Sequence, residues 1–296
     1  MAFGLGEFFS IACALVWAIA VILFKKGGES LSPGALNLFK STLALTLVIP
    51  TIAVASPAWP GIPLPAVLIT MLSGYIGIGF ADTLYLRALN VIGASRMAVA
   101  QTLFSPSVIA LSTLFLAERL HALQWLGVAA VLFGIALVNH VPRDSGDASD
   151  RRRLHLYVAL GVSSVMLMAT GIVMVKPLLE RYDFFWLVEL RLIGGVLGML
   201  GGALVRGQAG ALLGEFKRVR HWPQIIAGSF AGTYLSTILW LAGYKYTRAS
   251  IASVLNETAA LFIVILAVSF LGERLNRRQL LGIVGAVGGV LLVVGG

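Results

Sequence analysis

Four polar side chains lie deep inside otherwise apolar stretches, where an ionised group costs about 2.5 to 3.5 kcal/mol to insert into a bilayer. They are Asp82, Gln101, Asn256 and Glu257. Such groups usually face a cavity or a polar partner. Because burial favours the neutral form of a carboxyl group, Asp82 and Glu257 are candidates to bind a substrate ammonium group or to carry a coupling proton or ion. Gln101 and Asn256 are candidates to bind a substrate by hydrogen bonds.

Each of these residues also has a structural interpretation. The carboxyl groups can be neutral acids or can pair with Lys245, Arg87 or Arg191. The carboxamides can join helices through hydrogen bonds, which are commonly worth roughly 0.6 kcal/mol in membrane bundles. Lys40 and Arg191 lie about one and a half turns inside their apolar stretches. They therefore either anchor a substrate carboxylate or extend to the lipid headgroups.

Aromatic side chains form the second group of candidates. Trp17, Tyr75, Tyr234 and Trp240 lie deep within apolar stretches. There they can stack on an apolar or planar substrate and attract an ammonium group by the cation–π effect, although plain packing explains them equally well. Trp and Tyr residues near the ends of spans typically form belts at the membrane interface. The residues predicted for these interface belts are Tyr85, Tyr244, Trp59, Trp125, Trp186 and Trp222.

The composition places these residues in a membrane protein. Of 296 residues, 58% are hydrophobic and 12% are charged, against about 25% charged in a soluble domain. The apolar stretches are long enough to cross a bilayer as helices and lack the alternation of barrel strands. We therefore predict an all-α membrane protein with ten transmembrane helices. The predicted spans are 5–24, 34–55, 64–86, 97–117, 122–141, 154–175, 184–206, 222–244, 250–271 and 278–296.

Missing motifs exclude several functions. The sequence contains no Gly-x-x-x-x-Gly-Lys-Ser/Thr motif, so a nucleotide-driven pump is not expected. It also lacks His-Glu-x-x-His and Gly-x-Ser-x-Gly, and its single cysteine, Cys13, allows no intramolecular disulfide. We expect no enzyme activity, no cofactor and no metal. The net charge is +9, and the basic residues lie mainly in short loops between apolar stretches. Membrane insertion and contact with lipid headgroups explain this distribution, so no nucleic-acid partner is expected.

An internal repeat divides the chain into two copies. A shift of 155 residues places 81–141 on 236–296 without a gap. We predict a first five-helix repeat at 1–141, a polar linker at 142–153 and a second five-helix repeat at 154–296. Since five is odd, the second copy must cross the membrane in the opposite orientation to the first.

Inverted five-helix halves build many secondary transporters, because two similar halves can expose one central site alternately to each side. The shift of 155 pairs Gln101 with Asn256, and a shift of 151 pairs Lys40 with Arg191. We therefore expect the substrate between helices three, four, eight and nine, with contributions from one, two, six and seven. The odd-numbered loops and the linker contain more Lys and Arg than the loops on the opposite side, which places them in the cytoplasm by the positive-inside rule.

Small residues at four-residue spacing indicate close helix packing. Gly194, Gly198 and Gly202 form one such face, and Gly282 with Ala286 contributes to another in the last span. We expect these faces to join helices, with the last span as a candidate dimer contact. Three further glycines between positions 74 and 79 are expected to loosen the helix that carries Asp82.

This pattern resembles the EamA family of the drug/metabolite transporter superfamily. The resemblance rests on ten helices in two halves, on Leu-Ala-Glu-Arg-Leu at 116–120 and Leu-Gly-Glu-Arg-Leu at 271–275, and on the glycine-containing last helix of each half. It implies a secondary exporter of small metabolites such as amino acids, aromatic or apolar ones among them, in a bacterial inner membrane. One departure is that Pro106 meets Leu261 in the second half, so a fourth helix broken by proline is expected only once.

Two alternatives stay open. A multidrug or cationic-compound efflux transporter would need Asp82 or Glu257 and aromatic walls, but neither Lys40 nor Arg191. A membrane-embedded lipid-modifying enzyme would need clustered acidic metal ligands or a Ser/His pair, for which the sequence gives no sign. The expected partners are a small-molecule substrate and membrane lipid, and the protein is expected to be a monomer or a homodimer.

Overall fold

The computed structural model describes residues 4–56, 58–116, 122–138, 148–179, 181–219, 221–246 and 255–295. Over these residues the fold is helical, without any strand. The helices of the first half are α1 (Leu5–Gly27), α2 (Pro33–Ala55), α3 (Leu64–Gly74), α4 (Asp82–Ile92), α5 (Ala94–Gln101), α6 (Phe104–Leu116) and α7 (Ala122–Val138).

The second half follows the same order of long and interrupted helices. Its helices are α8 (Ala148–Leu179), α9 (Phe184–Val205), α10 (Ala209–Glu215), α11 (Trp222–Ser229), α12 (Ser236–Tyr246), α13 (Ala259–Leu271) and α14 (Arg277–Gly295). A short 3₁₀ turn, Phe216–Arg218, follows α10.

Five of the described helical stretches are long and apolar enough to cross a membrane. They are Leu5–Gly27, Pro33–Ala55, Leu64–Ile92, Arg152–Val175 and Phe184–Val205. Their length of 22 to 29 residues exceeds the roughly 20 that a bilayer core requires. The protein is therefore a multi-pass membrane protein, and the count of ten spans stays a prediction.

A π-helical segment interrupts the third predicted span of each half. Tyr75–Ala81 joins α3 to α4, and Phe230–Leu235 joins α11 to α12. The two segments begin 155 residues apart, at the offset of the sequence repeat. Wide π turns leave backbone carbonyls poorly paired. In the first half the Asn37 side-chain amide of α2 donates to the carbonyls of Ile78 and Gly79, at 2.7 and 3.0 Å.

The fourth predicted span contains a turn in both halves, but only the turn of the first half lies beside a proline, as expected from the sequence. In the first half, Thr102 and Leu103 separate α5 from α6, ahead of Pro106. In the second half, Thr258 separates a helical turn at 255–257 from α13. Each threonine hydroxyl donates to the carbonyl three residues earlier, at 2.7 Å from Thr102 and 2.5 Å from Thr258. A side chain that bonds its own backbone competes with the helix, so threonine produces the break without proline.

Glycine faces bring α3 and α9 into backbone contact. A Cβ added at Gly194 would lie 2.1 Å from the Met71 carbonyl oxygen, and one at Gly198 would lie 2.1 Å from the Tyr75 ring. Nothing lies within 4 Å of the corresponding point at Gly202. Gly194 and Gly198 are therefore packing positions, and Gly202 is open.

Replacing Gly194 with leucine is expected to destabilise the protein severely, because the side chain would collide with main-chain atoms that cannot move aside. Gly202→Leu is the matched control, since it adds the same apolar volume to the same helix where there is space. Thermal unfolding in detergent should show a melting temperature that falls by many degrees for Gly194→Leu only. Equal melting temperatures for the two variants would contradict this packing.

The small residues of the last span contact α7 of the same chain. A Cβ added at Gly134 would lie 2.5 Å from the Gly282 carbonyl oxygen and 2.8 Å from the Ala286 Cβ. This face of α14 is therefore occupied within the described part of the chain. It joins α7 to α14, whereas nothing lies within 4 Å of the corresponding points at Gly285 and Gly288, so a dimer contact through that other face of the last span stays a prediction.

Contacts between distant parts of the chain define the two ends of the bundle. At one end, the ammonium of Lys25 donates to the Asn90 carbonyl, close to Gly93. We call it the Gly93 face. At the other end, the Trp186 indole donates to the carbonyls of Ser56 and Ala58, both at 3.1 Å. We call it the Trp186 face.

Candidate functional site

A cavity of about 380 Å³ lies in the middle of the bundle. Both halves line it. The first half contributes α1, α2, the π-helical segment Tyr75–Ala81, α4, α5 and α6. The second half contributes α8, α9, the π-helical segment Phe230–Leu235, α12 and the region 256–260. The cavity extends to Leu179 and Phe184, where α8 ends and α9 begins. Toward the Gly93 face the space is filled by fully buried side chains such as Phe24, Leu86 and Leu89. Among the described residues, the cavity is therefore closed toward the Gly93 face and extends to the Trp186 face.

Four acidic or basic side chains line this cavity: Lys40, Asp82, Arg191 and Glu257. Lys40 and Asp82 form a salt bridge, which is the one ion pair among the described residues. Lys40 is only 4% exposed, so the expectation that it extends to the headgroups was wrong. The partner of Asp82 was also missed, because pairing between helices depends on how each helix is rotated.

Arg191 carries a charge that the cavity leaves largely unmatched. Its Nε atom is buried and has no hydrogen-bond partner. The guanidinium lies over Gly77 of the π segment, where an added Cβ would come within 3.3 Å of Nη2. Asp82 attracts it electrostatically, although that carboxylate is already bonded to Lys40. Arg191 can therefore accept a further anionic group.

Glu257 is the second unmatched charge. Its carboxylate accepts a hydrogen bond from the Ser105 hydroxyl of the first half, and no cation pairs with it among the described residues. Next to it, both polar side-chain atoms of Asn256 are buried without a partner. The hydroxyl of Thr233, also in the cavity wall, is likewise unpartnered. These groups offer donors and acceptors to a ligand, because buried polar groups are normally satisfied.

Aromatic rings form part of the wall. Trp17 lies 6.3 Å from Tyr85 between ring centroids, and its buried Nε1 has no partner. Tyr85 was predicted for the interface belt, but it is 2% exposed and donates its hydroxyl to Gln101 Oε1 at 2.9 Å. Trp240 lines the cavity beside Phe184, with ring centroids 6.3 Å apart. The wall combines flat apolar surfaces with hydrogen-bonding edges.

Two predicted aromatic residues lie elsewhere. Tyr75 is 42% exposed and packs on Gly198 at the outer surface. It continues the outward face of α3, because Leu68 and Leu72, seven and three residues earlier, are exposed as well. Tyr234 accepts or donates a 2.9 Å hydrogen bond with Thr51 and borders a separate small void. The cavity thus contains eight of the ten predicted residues: Trp17, Lys40, Asp82, Gln101, Arg191, Trp240, Asn256 and Glu257.

The missed residues follow the repeat. Under the shift of 155, Tyr85 corresponds to Trp240 and Gly77 to Gly232, and all four line the cavity. The same shift relates Thr102 to Glu257. Applying the repeat offset to each deep residue would have found Tyr85 from the sequence. The described residues contain no cluster of His, Cys, Asp or Glu that could hold a metal ion.

A multi-pass helical bundle with a buried, partly charged cavity between two related halves is the architecture of a membrane transporter. The model of the EamA-like transporter family matches residues 4–140 and 155–295. The chain therefore belongs to the EamA-like transporter family, within the drug/metabolite transporter superfamily, and the resemblance seen in its motifs is confirmed.

Individual relatives agree with this assignment. The chain is 28% identical over 153 residues to the "Uncharacterized transporter YetK" of Bacillus subtilis (strain 168), over 51% of this chain and 44% of that protein. It is 30% identical over 135 residues to the "Uncharacterized transporter in cobO 3'region" of a Sinorhizobium species, over 45% of this chain and 94% of that protein. A crystal structure superposes with a TM-score of 0.62 at 13% identity, covering 97% of this chain and 95% of that one, which shows a shared fold.

Proposed function

We propose that the protein exports small zwitterionic metabolites, most simply amino acids with apolar or aromatic side chains, across the bacterial inner membrane. The observation that carries this proposal is the pair of unmatched charges in one cavity, Arg191 and Glu257. The first suits a carboxylate and the second suits an ammonium group. Trp17, Tyr85 and Trp240 supply a wall on which an apolar side chain can pack.

The charge count of the cavity supports a substrate without net charge. Lys40 and Asp82 neutralise each other, and Arg191 and Glu257 remain. A zwitterion satisfies both at once, whereas a cation alone leaves Arg191 buried and unmatched. An uncompensated buried charge is strongly unfavourable. This favours an amino acid over the cationic drugs that the alternative function would require.

Alternating access between two inverted five-helix halves is the proposed mechanism. The cavity in its present form reaches the Trp186 face and is blocked at the Gly93 face. Because cavity residues occur in repeat-related pairs, the same groups could line a cavity that reaches the opposite face after the halves exchange conformations. Glu257, bonded to the Ser105 hydroxyl, is the proposed site for a coupling proton.

The proposal is tested by the flux of a panel of labelled amino acids in liposomes that contain the purified protein, with empty liposomes as the control. We expect flux of apolar or aromatic amino acids. Stimulation by a pH gradient would support proton coupling through Glu257, and its absence would indicate facilitated diffusion. If only lipophilic cations move, the multidrug alternative replaces the amino-acid proposal.

A further inference from the structure

A carboxylate from the second half caps a helix of the first half at the closed end of the cavity. Glu273 follows the end of α13, and its two carboxylate oxygens accept the backbone N–H groups of Ala94 and Ser95, at 2.7 and 3.1 Å. These N–H groups belong to the first turn of α5 and have no partner within that helix. The contact joins residues 178 and 179 positions apart.

The surrounding residues are shaped for this contact. Gly93 has φ +85°, a conformation that favours glycine. A Cβ there would lie 2.7 Å from Glu273 Oε1, so any other residue would push the carboxylate away. Lys25 attracts Glu273 electrostatically while it donates to the Asn90 carbonyl. The N-terminus of α5 and the ammonium of Lys25 therefore hold the carboxylate, and the glycine at position 93 leaves the space that it occupies.

The two helices that meet at Glu273 both lead into the cavity. α5 begins at the capped residues and carries Ala98 and Gln101 to the cavity wall. The other helix starts beside Asn256 and Glu257 and ends just before Glu273. A shift of either helix by a ligand in the cavity would act directly on the contact at the Gly93 face.

We propose that the Glu273 cap on α5 is a latch between the halves that holds the Gly93 face closed and must break for the cavity to open there. The inference rests on the proposed transport function, since a latch has a role only if the halves exchange conformations. Helix-end hydrogen bonds to a carboxylate are strong yet made of a single side chain. They can therefore stabilise one conformation without making it permanent.

The native cysteine provides the test, because Cys13 lines the cavity and is the single cysteine of the chain. A membrane-impermeant maleimide is applied separately to each side of oriented vesicles, in the absence of substrate. The wild-type protein should be labelled mainly from the Trp186 face. For Glu273→Gln, the ratio of labelling rates between the two faces should move about tenfold toward the Gly93 face, because hydrogen bonds to a charged group are lost.

Asp183→Asn is the matched control. Asp183 Oδ1 accepts the N–H groups of Phe185 and Trp186 at 3.0 and 3.2 Å, which is the same kind of cap made within one half. Its loss should leave the labelling ratio unchanged. Gly93→Ala is the second variant, since it displaces the Glu273 carboxylate without removing its charge, and it should shift labelling in the same direction as Glu273→Gln.

Wild-type labelling ratios in both Glu273→Gln and Gly93→Ala, at normal abundance, would overturn the latch. An equal shift in Asp183→Asn would overturn it as well, because the effect would then follow from general loosening. A shift in the two latch variants without amino-acid flux would support the latch and reject the proposed substrate class. The two proposals can therefore fail separately.

Discussion

Replacing Arg191 with alanine is expected to raise the apparent KM for a transported amino acid at least roughly thirtyfold. Removing one partner of a buried, hydrogen-bonded charge pair costs about 2 to 5 kcal/mol, and each 1.4 kcal/mol is tenfold in affinity. Lys40 cannot substitute, because Asp82 already occupies its ammonium group. Arg191→Lys should recover only part of the affinity, since an ammonium group lacks the planar fork that binds both carboxylate oxygens.

The control for this variant is Arg206→Ala, which removes the same side chain from the end of the same helix at an exposed position. It should transport like the wild type. The measurement is concentration-dependent uptake into liposomes at matched protein abundance and melting temperature. An unchanged KM in folded Arg191→Ala would show that the substrate carboxylate binds elsewhere.

Glu257→Gln is expected to weaken amino-acid transport by about tenfold or more, because glutamine keeps an acceptor for the Ser105 hydroxyl but loses the charge that binds an ammonium group. The loss should be selective. An inhibitor that retains the carboxylate and lacks the ammonium group should compete equally well with wild type and variant. Any stimulation of transport by a pH gradient should disappear.

Ser105→Ala separates charge from hydrogen bonding at this position. It removes the hydroxyl that donates to Glu257 and leaves the carboxylate in place. We expect transport to change by about threefold or less, because the charge that binds the ammonium group is kept and the lost hydrogen bond does not contact the ligand. If Ser105→Ala impairs transport as much as Glu257→Gln does, the carboxylate acts through the interhelical bond rather than through the ligand.

The sequence predicted the helical class and most of the cavity because burial of polar groups in a membrane is a strong local signal. Asp82, Gln101, Asn256 and Glu257 interrupt apolar stretches, and each lies in the cavity wall. The cost of placing such groups in lipid can be read from one residue and its neighbours. No knowledge of helix rotation is required for that step.

Pairing and depth could not be read in the same way. The Lys40–Asp82 salt bridge joins two helices, and its formation depends on their relative rotation. Tyr75 was placed deep by counting residues, but it lies on the outward face of α3 together with Leu68 and Leu72. The Glu273 contact with Ala94 and Ser95 joins distant parts of the chain, so the local sequence around Glu273 does not reveal it.

The most direct test of zwitterion recognition compares three compounds that carry the same side chain: the transported amino acid, the amine that lacks its carboxylate, and the acid that lacks its ammonium group. Each is used to inhibit uptake of the labelled amino acid by the wild-type protein in liposomes. We predict that the amino acid competes at least about tenfold better than either analogue, since each charge has its own partner in the cavity. Competition by the amine as strong as that by the amino acid would contradict it, because Arg191 would then contribute nothing to recognition.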